Sequence, residues 1–134
     1  MGDRANWGFA KEAGAPVLNL YSHWDGSERR TLLANALAYS RPRWNDEGYA
    51  TRIVISQIIG DQWSRETGYG LTVNELGDNS YPYLIVFWKE QKVFEIPIGQ
   101  KETGKAGFKK ASAMAPSQIY TFDEFISHNA TKSW

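Results

Sequence analysis

The chain has 134 residues, of which 42% are hydrophobic and 22% charged, values that suit one globular domain rather than a disordered protein. Its 15 Lys and Arg residues balance 15 Asp and Glu residues, so no net charge draws it towards nucleic acid or an anionic membrane. The lack of cysteine excludes disulfides, thiol catalysis and thiolate metal ligands. With only two histidines, we expect no metal site and no cofactor.

The chain shows no sign of a membrane segment. No apolar run approaches the roughly 20 residues that a membrane-spanning helix needs. The first residues also lack the basic and then apolar pattern of a signal peptide. We therefore expect a cytoplasmic protein without a membrane partner.

The first third of the chain contains two elements. Residues 1–15 combine glycines with scattered charges and predict a loosely held N-terminal arm. Residues 17–22 form a short apolar run that ends at an Asp-Gly turn, which predicts a strand. Ser27 suits a helix N-cap, and apolar residues then recur at helical spacing until Pro42. This pattern predicts a helix from Glu28 to Tyr39.

A second helix is predicted from Glu47 to Trp63. Asn45 or Asp46 can cap its start, and Tyr49 and Trp63 extend the apolar pattern at both ends. Its β-branched centre would also suit a strand. The length of the pattern favours a helix.

Beyond residue 67 the hydrophobic period changes to two, which predicts a three-stranded meander. Its strands are expected at 69–73, 81–88 and 93–98, joined by turns at 77–79 and 89–92. Residues 81–88 are apolar on both faces, as in a central strand. Pro97 cannot donate a ladder hydrogen bond, so the last strand is expected at an edge.

The region after residue 98 changes in composition. Lysines among glycines and small residues predict a mobile basic connector, and residues 121–126 predict a short capped C-terminal helix. The elements together predict an α+β domain over residues 16–98. In this two-layer fold, a mostly antiparallel sheet of three to four strands packs against two helices in the order β-α-α-β-β-β. Residues 1–15 would form the arm, and residues 99–134 the basic connector and terminal helix.

Residues 99–106 match the phosphate-binding pattern G-x-x-x-x-G-K-[S/T] at every position except the last. Ala106 lacks the hydroxyl that would hold Mg²⁺ in such a loop. Too little chain follows to build the parallel sheet that a phosphate-binding loop requires. We therefore expect a flexible linker here.

The junction between the first strand and the first helix carries polar and aromatic residues. Backbone N–H groups at a helix start attract anions and hydrogen-bond acceptors. Neighbouring residues of a strand point to opposite faces, so Ser22, His23 and Asp25 cannot form a catalytic relay. His23 can serve as a general base with a distant partner. A half-buried, hydrogen-bonded histidine is the favoured interpretation.

Arginines at 29, 30, 41, 43 and 52 cluster around the two predicted helices, with Trp44 and Tyr49 nearby in sequence. Such a set can clamp a phosphate or stack on a base, although helical arginines more often pair with Asp or Glu. The candidate binding residues from the junction and this cluster are Tyr21, Ser22, His23, Trp24, Asp25, Arg29, Arg30, Trp44, Tyr49 and Arg52.

Three short motifs resemble sequences of small bacteriophage and prophage proteins of uncharacterised function. They are LYSHWDG at 20–26, RWNDEGYATRI at 43–53 and TGYGL at 67–71, and the likeness spans roughly residues 17–90. The resemblance implies a small accessory protein that acts inside an infected bacterium. It carries no catalytic assignment.

These observations favour a non-catalytic protein that binds a host protein, for example one involved in defence, or a small anionic ligand. One alternative is a small hydrolase or nucleotide-processing enzyme that uses His23 with Arg29 or Arg52. Another is a weak nucleic-acid binder that uses the Lys-rich tail, although nucleic acid is not the expected partner. A free sheet edge leaves homo-oligomerisation open.

Overall fold

A computed structural model describes residues 2–132, which form one six-stranded mixed sheet with helices on both faces. The strands are β1 (Ala5–Ala10), β2 (Leu18–Ser22), β3 (Tyr69–Val73), β4 (Tyr83–Phe87), β5 (Lys92–Ile96) and β6 (Gln118–Thr121). The helices are α1 (Arg29–Tyr39), α2 (Glu47–Ile59), α3 (Gly104–Ala113) and α4 (Phe122–Asn129). The α+β class is therefore confirmed.

The order of the strands is β3-β2-β1-β4-β5-β6. β1 and β4 are parallel, and every other neighbouring pair is antiparallel. Helices α1, α2 and α4 pack on one face, and α3 packs on the other. The expected sheet of three to four strands with helices in one layer is wrong, because both terminal regions add strands to the sheet and α3 adds a third layer.

The segment expected to be a loose N-terminal arm contains the central strand β1. All six of its residues are buried. Trp7 faces the layer of α1, α2 and α4, and its Nε1 donates to the Arg29 carbonyl at 3.1 Å. Gly8, which suggests a loop in sequence, lies on the opposite face, where a Cβ atom would collide with the Tyr83 hydroxyl. Asn6 faces the same side, and its Nδ2 donates to Asn79 Oδ1 at 2.5 Å.

Both predicted helices are confirmed as α1 and α2, whereas the expected cap is wrong. The backbone N–H and the hydroxyl of Ser27 both donate to the Asp3 carboxylate, at 3.1 and 2.7 Å. These hydrogen bonds lower the pKa of Asp3. Residues 26–28 form one turn of 3₁₀ helix, and α1 begins after it.

The expected meander is wrong because β3 and β4 are separated by β2 and β1. The predicted turn at 77–79 is a crossing segment held by Asn6, whose Oδ1 accepts from Gly77 N at 3.0 Å. β5 is not an edge strand, since β6 pairs with it and places Ile119 opposite Phe94. Pro97 follows the last residue of β5 and so disturbs no ladder bond.

The expected mobile connector contains α3, which packs through Ala111 and Phe108 against the sheet. The C-terminal helix is confirmed as α4. Thr121 and Glu124 form its capping box, with the Thr121 hydroxyl accepting from Glu124 N at 3.1 Å. Between residues 2 and 132, no helix combines the length and the apolar character needed to cross a bilayer.

Candidate functional site

The bend after β2 is closed by hydrogen bonds to Asp25. Its Oδ2 accepts from Ser22 Oγ at 2.8 Å and from the Tyr69 hydroxyl at 2.6 Å. Ser22 Oγ in turn accepts from the backbone N–H groups of Trp24 and Asp25. Burial raises the pKa of Tyr69, and the Asp25 carboxylate raises it further. Asp25 therefore fastens the bend to β3.

His23 lies outside this network. Its Nδ1 faces Arg4 Nε at 3.3 Å and the Tyr21 hydroxyl at 3.1 Å, and its ring meets the Trp24 ring edge to face. No hydrogen bond joins His23 to Ser22 or Asp25 in the described part of the chain. The contacts are those of the half-buried, hydrogen-bonded histidine that the sequence favours.

Arg29 and Arg30 are both held by contacts within the protein. The buried Arg29 donates from Nε to the Pro82 carbonyl at 3.2 Å, and desolvation lowers its pKa. Arg30 binds the buried Glu95, with Nε 3.0 Å from Oε1. These contacts hold strand β4 and strand β5 to the start of α1, so neither guanidinium is free to clamp an anion.

The other three candidates lie apart from the bend. Trp44 is a core residue that is 8% exposed, and its Nε1 donates to the Leu37 carbonyl at 2.9 Å. Tyr49 is exposed, with the Arg43 guanidinium 5.0 Å from the centre of its ring. Arg52 lies on α2 beside an apolar groove. The candidate residues are thus divided among the bend, the core, the exposed start of α2 and this groove, and their role in binding stays a prediction.

The groove lies between α2 and the side of the sheet that ends at β3, and its volume is about 740 Å³. We call it the α2–β3 groove. Its apolar lining includes Leu18, Ile55, Trp63, Leu71 and Val73. Such a size is within the range of ligand sites, roughly 300–1,000 Å³.

The end of α2 explains why this groove is open. Gly60 ends the helix with φ 61°, a conformation that favours glycine, and one 3₁₀ turn leads to Trp63. The helix layer therefore does not cover β3 completely. Trp63, Leu71 and Val73 remain 52%, 48% and 60% exposed on the helix side of the sheet.

The outer edge of β3 carries backbone groups that no other strand of residues 2–132 pairs with. The bonds from His23 N to Gly68 O and from Asn74 N to Val17 O show which residues of this strand face β2. Because ladder bonds alternate along an antiparallel strand, the N–H and C=O groups of Tyr69, Leu71 and Val73 point away from the sheet. β3 contains neither a charged residue nor a proline. These are the residues that usually prevent an edge strand from pairing with another chain.

The charged groups that line the groove are Lys11, Glu47 and Arg52. Lys11 follows β1 at the end where Leu18 pairs with Val73, so it marks the Val73 end of the groove. None of the three charged groups has an ion-pair partner within 4.0 Å in residues 2–132.

The sequence patterns indicated Arg52 as a candidate binding residue but did not predict the groove itself. The alternation of Tyr69, Leu71 and Val73 indicated a half-exposed strand, and this was the available signal. Lys11 and Trp63 reach the groove only through the pairing of distant segments, which no local pattern shows.

The sequence around residues 99–106 does not form a phosphate cradle. Two of its amides are used within the protein: Gly104 N donates to the Leu76 carbonyl at 2.7 Å, and Thr103 N donates to the Lys101 carbonyl at 3.0 Å. Across residues 2–132, no group of three His, Asp or Glu side chains is arranged to hold a metal ion.

Comparisons with known proteins give no match: no family model, no curated protein and no solved structure matches this chain.

Proposed function

We propose that this protein acts by binding, without catalysis, and that the α2–β3 groove with the free edge of β3 is its recognition surface. The observation that carries the proposal is an uncharged strand edge, unpaired among residues 2–132, beside an open apolar groove. Soluble domains usually protect such edges and cover such side chains, so their exposure marks an interaction surface.

The favoured partner is an extended segment of another protein. Such a segment can add to the edge of β3 through the outward N–H and C=O groups of Tyr69, Leu71 and Val73. Its apolar side chains would then cover the exposed faces of Leu71, Val73 and Trp63. Main-chain bonds supply the general affinity, and the side chains supply the selectivity.

On the sequence motifs alone, we further propose a phage-type accessory protein in the cytoplasm of the bacterial host. The partner would then be a host protein, and interference with host defence is one form of this role. The motifs at 20–26, 43–53 and 67–71 support this origin, and the groove supports binding to a protein.

The test compares two substitutions on the two edges of the same sheet. Leu71→Glu on β3 and Ile119→Glu on β6 each replace a side chain that is about half exposed. We expect Leu71→Glu to reduce capture of a host protein by at least tenfold, because it places a carboxylate in the apolar contact. Ile119→Glu should retain capture.

The measurement is quantitative mass spectrometry of proteins captured from bacterial host lysate by the wild type and both variants. Circular dichroism confirms that the variants are folded. Equal capture by the wild type and Leu71→Glu would refute the proposed surface.

A second candidate function is the binding of a small ligand with an apolar body and an acidic group. The observation that favours it is the pair of cations, Lys11 and Arg52, at one end of an apolar groove of ligand size. Native mass spectrometry of the purified protein would show such a ligand as a discrete added mass. Arg52→Gln should lower the fraction of protein molecules that carry it. Within residues 2–132, the contacts of His23 do not support the hydrolase alternative, because its ring nitrogen Nδ1 faces Arg4 and Tyr21.

A further inference from the structure

The two ends of the α2–β3 groove differ in chemistry. Every charged residue that lines it lies towards the Val73 end or on the first half of α2, whereas Trp63 lies after the last turn of α2. Of these charged residues two are cationic and one, Glu47, is anionic. The groove can therefore favour one orientation of a bound segment that carries a charge near one end.

The free edge of β3 defines which residues of a bound strand face the groove. In an antiparallel pair, residues directly opposite each other share a face of the sheet. Residues of the segment opposite Val73, Leu71 and Tyr69 would thus point towards the helix layer, as those three do. Antiparallel pairing is slightly more stable per residue than parallel pairing, and β3 already pairs in this way with β2.

Resting on the function proposed above, we propose that the bound segment runs antiparallel to β3 with a carboxylate ahead of its apolar residues. We number this carboxylate position 1, and apolar residues at positions 3, 5 and 7 lie opposite Val73, Leu71 and Tyr69. Position 1 then extends past Val73 on the helix side of the sheet. There its charge complements Lys11 and Arg52, which have no other ion-pair partner among the described residues.

A second copy of this chain meets these requirements less well. Two-fold antiparallel pairing centred on Leu71 would place Tyr69 of the second copy opposite Val73. Thr67 would then occupy position 1, and the chain before it turns, because Arg65 N donates to the Gln62 carbonyl at 3.0 Å. The second copy thus brings a neutral residue to the position where the cations favour a carboxylate, so the occupant is a segment of a different protein.

The experiment uses fluorescently labelled nine-residue peptides and the full-length protein. The first peptide has Glu at position 1, Val at positions 3, 5 and 7, and Thr or Gln elsewhere, with both ends blocked. A second peptide has Lys at position 1, and a third has the first sequence reversed. Fluorescence anisotropy gives the affinity of each peptide for the wild type, Arg52→Glu, Leu71→Glu and Lys105→Glu.

We expect the Glu peptide to bind more tightly than the Lys peptide and the reversed peptide. Arg52→Glu should weaken the Glu peptide by about fivefold and reverse the preference between Glu and Lys, as expected for a charge pair at an interface rim. Lys105→Glu makes the same charge change on α3, across the sheet from the groove, and should change neither affinity.

Each contrary result has a distinct meaning. Equal binding of the Glu and Lys peptides, or tighter binding of the reversed peptide, overturns the inference and leaves the groove as the recognition surface. Peptide binding that Leu71→Glu does not weaken, or no binding by any peptide, overturns the proposed function as well. Analytical ultracentrifugation tests the choice of a different protein over a second copy. That choice is overturned if the wild type is a dimer that Leu71→Glu dissociates and Ile119→Glu leaves intact.

Discussion

At the scale of single residues, Gly8 permits a hydrogen bond across the sheet from Tyr83 to Asn19. The Tyr83 hydroxyl donates to Asn19 Oδ1 directly above Gly8. A Cβ atom at residue 8 would lie 2.9 Å from Val17 Cγ1 and would collide with the Tyr83 hydroxyl. The absence of a side chain therefore allows two buried polar groups to meet inside an apolar layer, where an unpaired hydroxyl is costly.

This residue pair predicts a dependence of stability on pH. Burial raises the pKa of Tyr83 well above its usual value of 10.0. Above pH 10 the unfolded chain loses this proton while the folded chain keeps it. Stability that is fully present below pH 10 should then fall by about 1.4 kcal/mol per pH unit. Tyr83→Phe should remove this contribution, and at pH 7 it should cost about 1–3 kcal/mol because Asn19 Oδ1 loses its donor.

Urea unfolding at pH 7, 9 and 10.5 checks both parts of this prediction. Tyr49→Phe is the matched control, since it removes a hydroxyl from an exposed ring and should change little at any pH. Because the pKa of Tyr69 is also raised, every variant should keep part of the loss of stability at alkaline pH. A Tyr83→Phe profile parallel to that of the wild type would contradict the assignment.

At the scale of elements, β1 holds the sheet together, because it joins β2 and β4 and so connects the two halves. Its Trp7 is completely buried, whereas Trp24 is 53% exposed at the bend. We expect Trp7→Ala to lower the free energy of unfolding by about 3–5 kcal/mol, the range for a large buried side chain. Trp24→Ala, the same change at a half-exposed position, should cost under about 1 kcal/mol. Chemical denaturation of both variants measures this difference, and similar losses would be inconsistent with a central β1.

At the scale of the whole molecule, balanced charge and a packed C-terminal region argue against nucleic-acid binding. The lysines of residues 101–110 belong largely to α3, and Lys110 already pairs with Glu102 at 3.3 Å. Removal of the chain after residue 99 would delete α3, β6 and α4 and thereby disrupt the fold. A point variant is therefore the cleaner test.

We predict that single-stranded DNA binds more weakly than about 10⁻⁴ M at physiological salt, the weak limit of non-specific binding. The double variant Lys105→Glu with Lys109→Glu should leave this result unchanged. Fluorescence anisotropy over a series of salt concentrations provides the measurement. A steep loss of affinity with salt that becomes shallower in the double variant would show that α3 contacts phosphates.

The elements that could be predicted from the sequence are those with local patterns. Apolar residues at helical spacing predicted α1 and α2. A run that is apolar on both faces predicted β4, and Thr121 with Glu124 marked the start of α4. Helix periodicity and capping depend on residues a few positions apart, so a single segment contains the whole signal.

The position of β1, the parallel pairing of β1 with β4 and the packing of α3 depend on contacts that form only in the folded chain. In sequence, Gly8 and Gly107 resemble loop residues, whereas in the fold a Cβ atom at residue 8 would collide with the Tyr83 hydroxyl and one at residue 107 with the Glu102 backbone. The α2–β3 groove depends on Lys11, Arg52, Trp63 and Leu71, which lie in four separate segments. Strand order and grooves arise from contacts between residues that are distant in the chain, and local periodicity carries no record of such contacts.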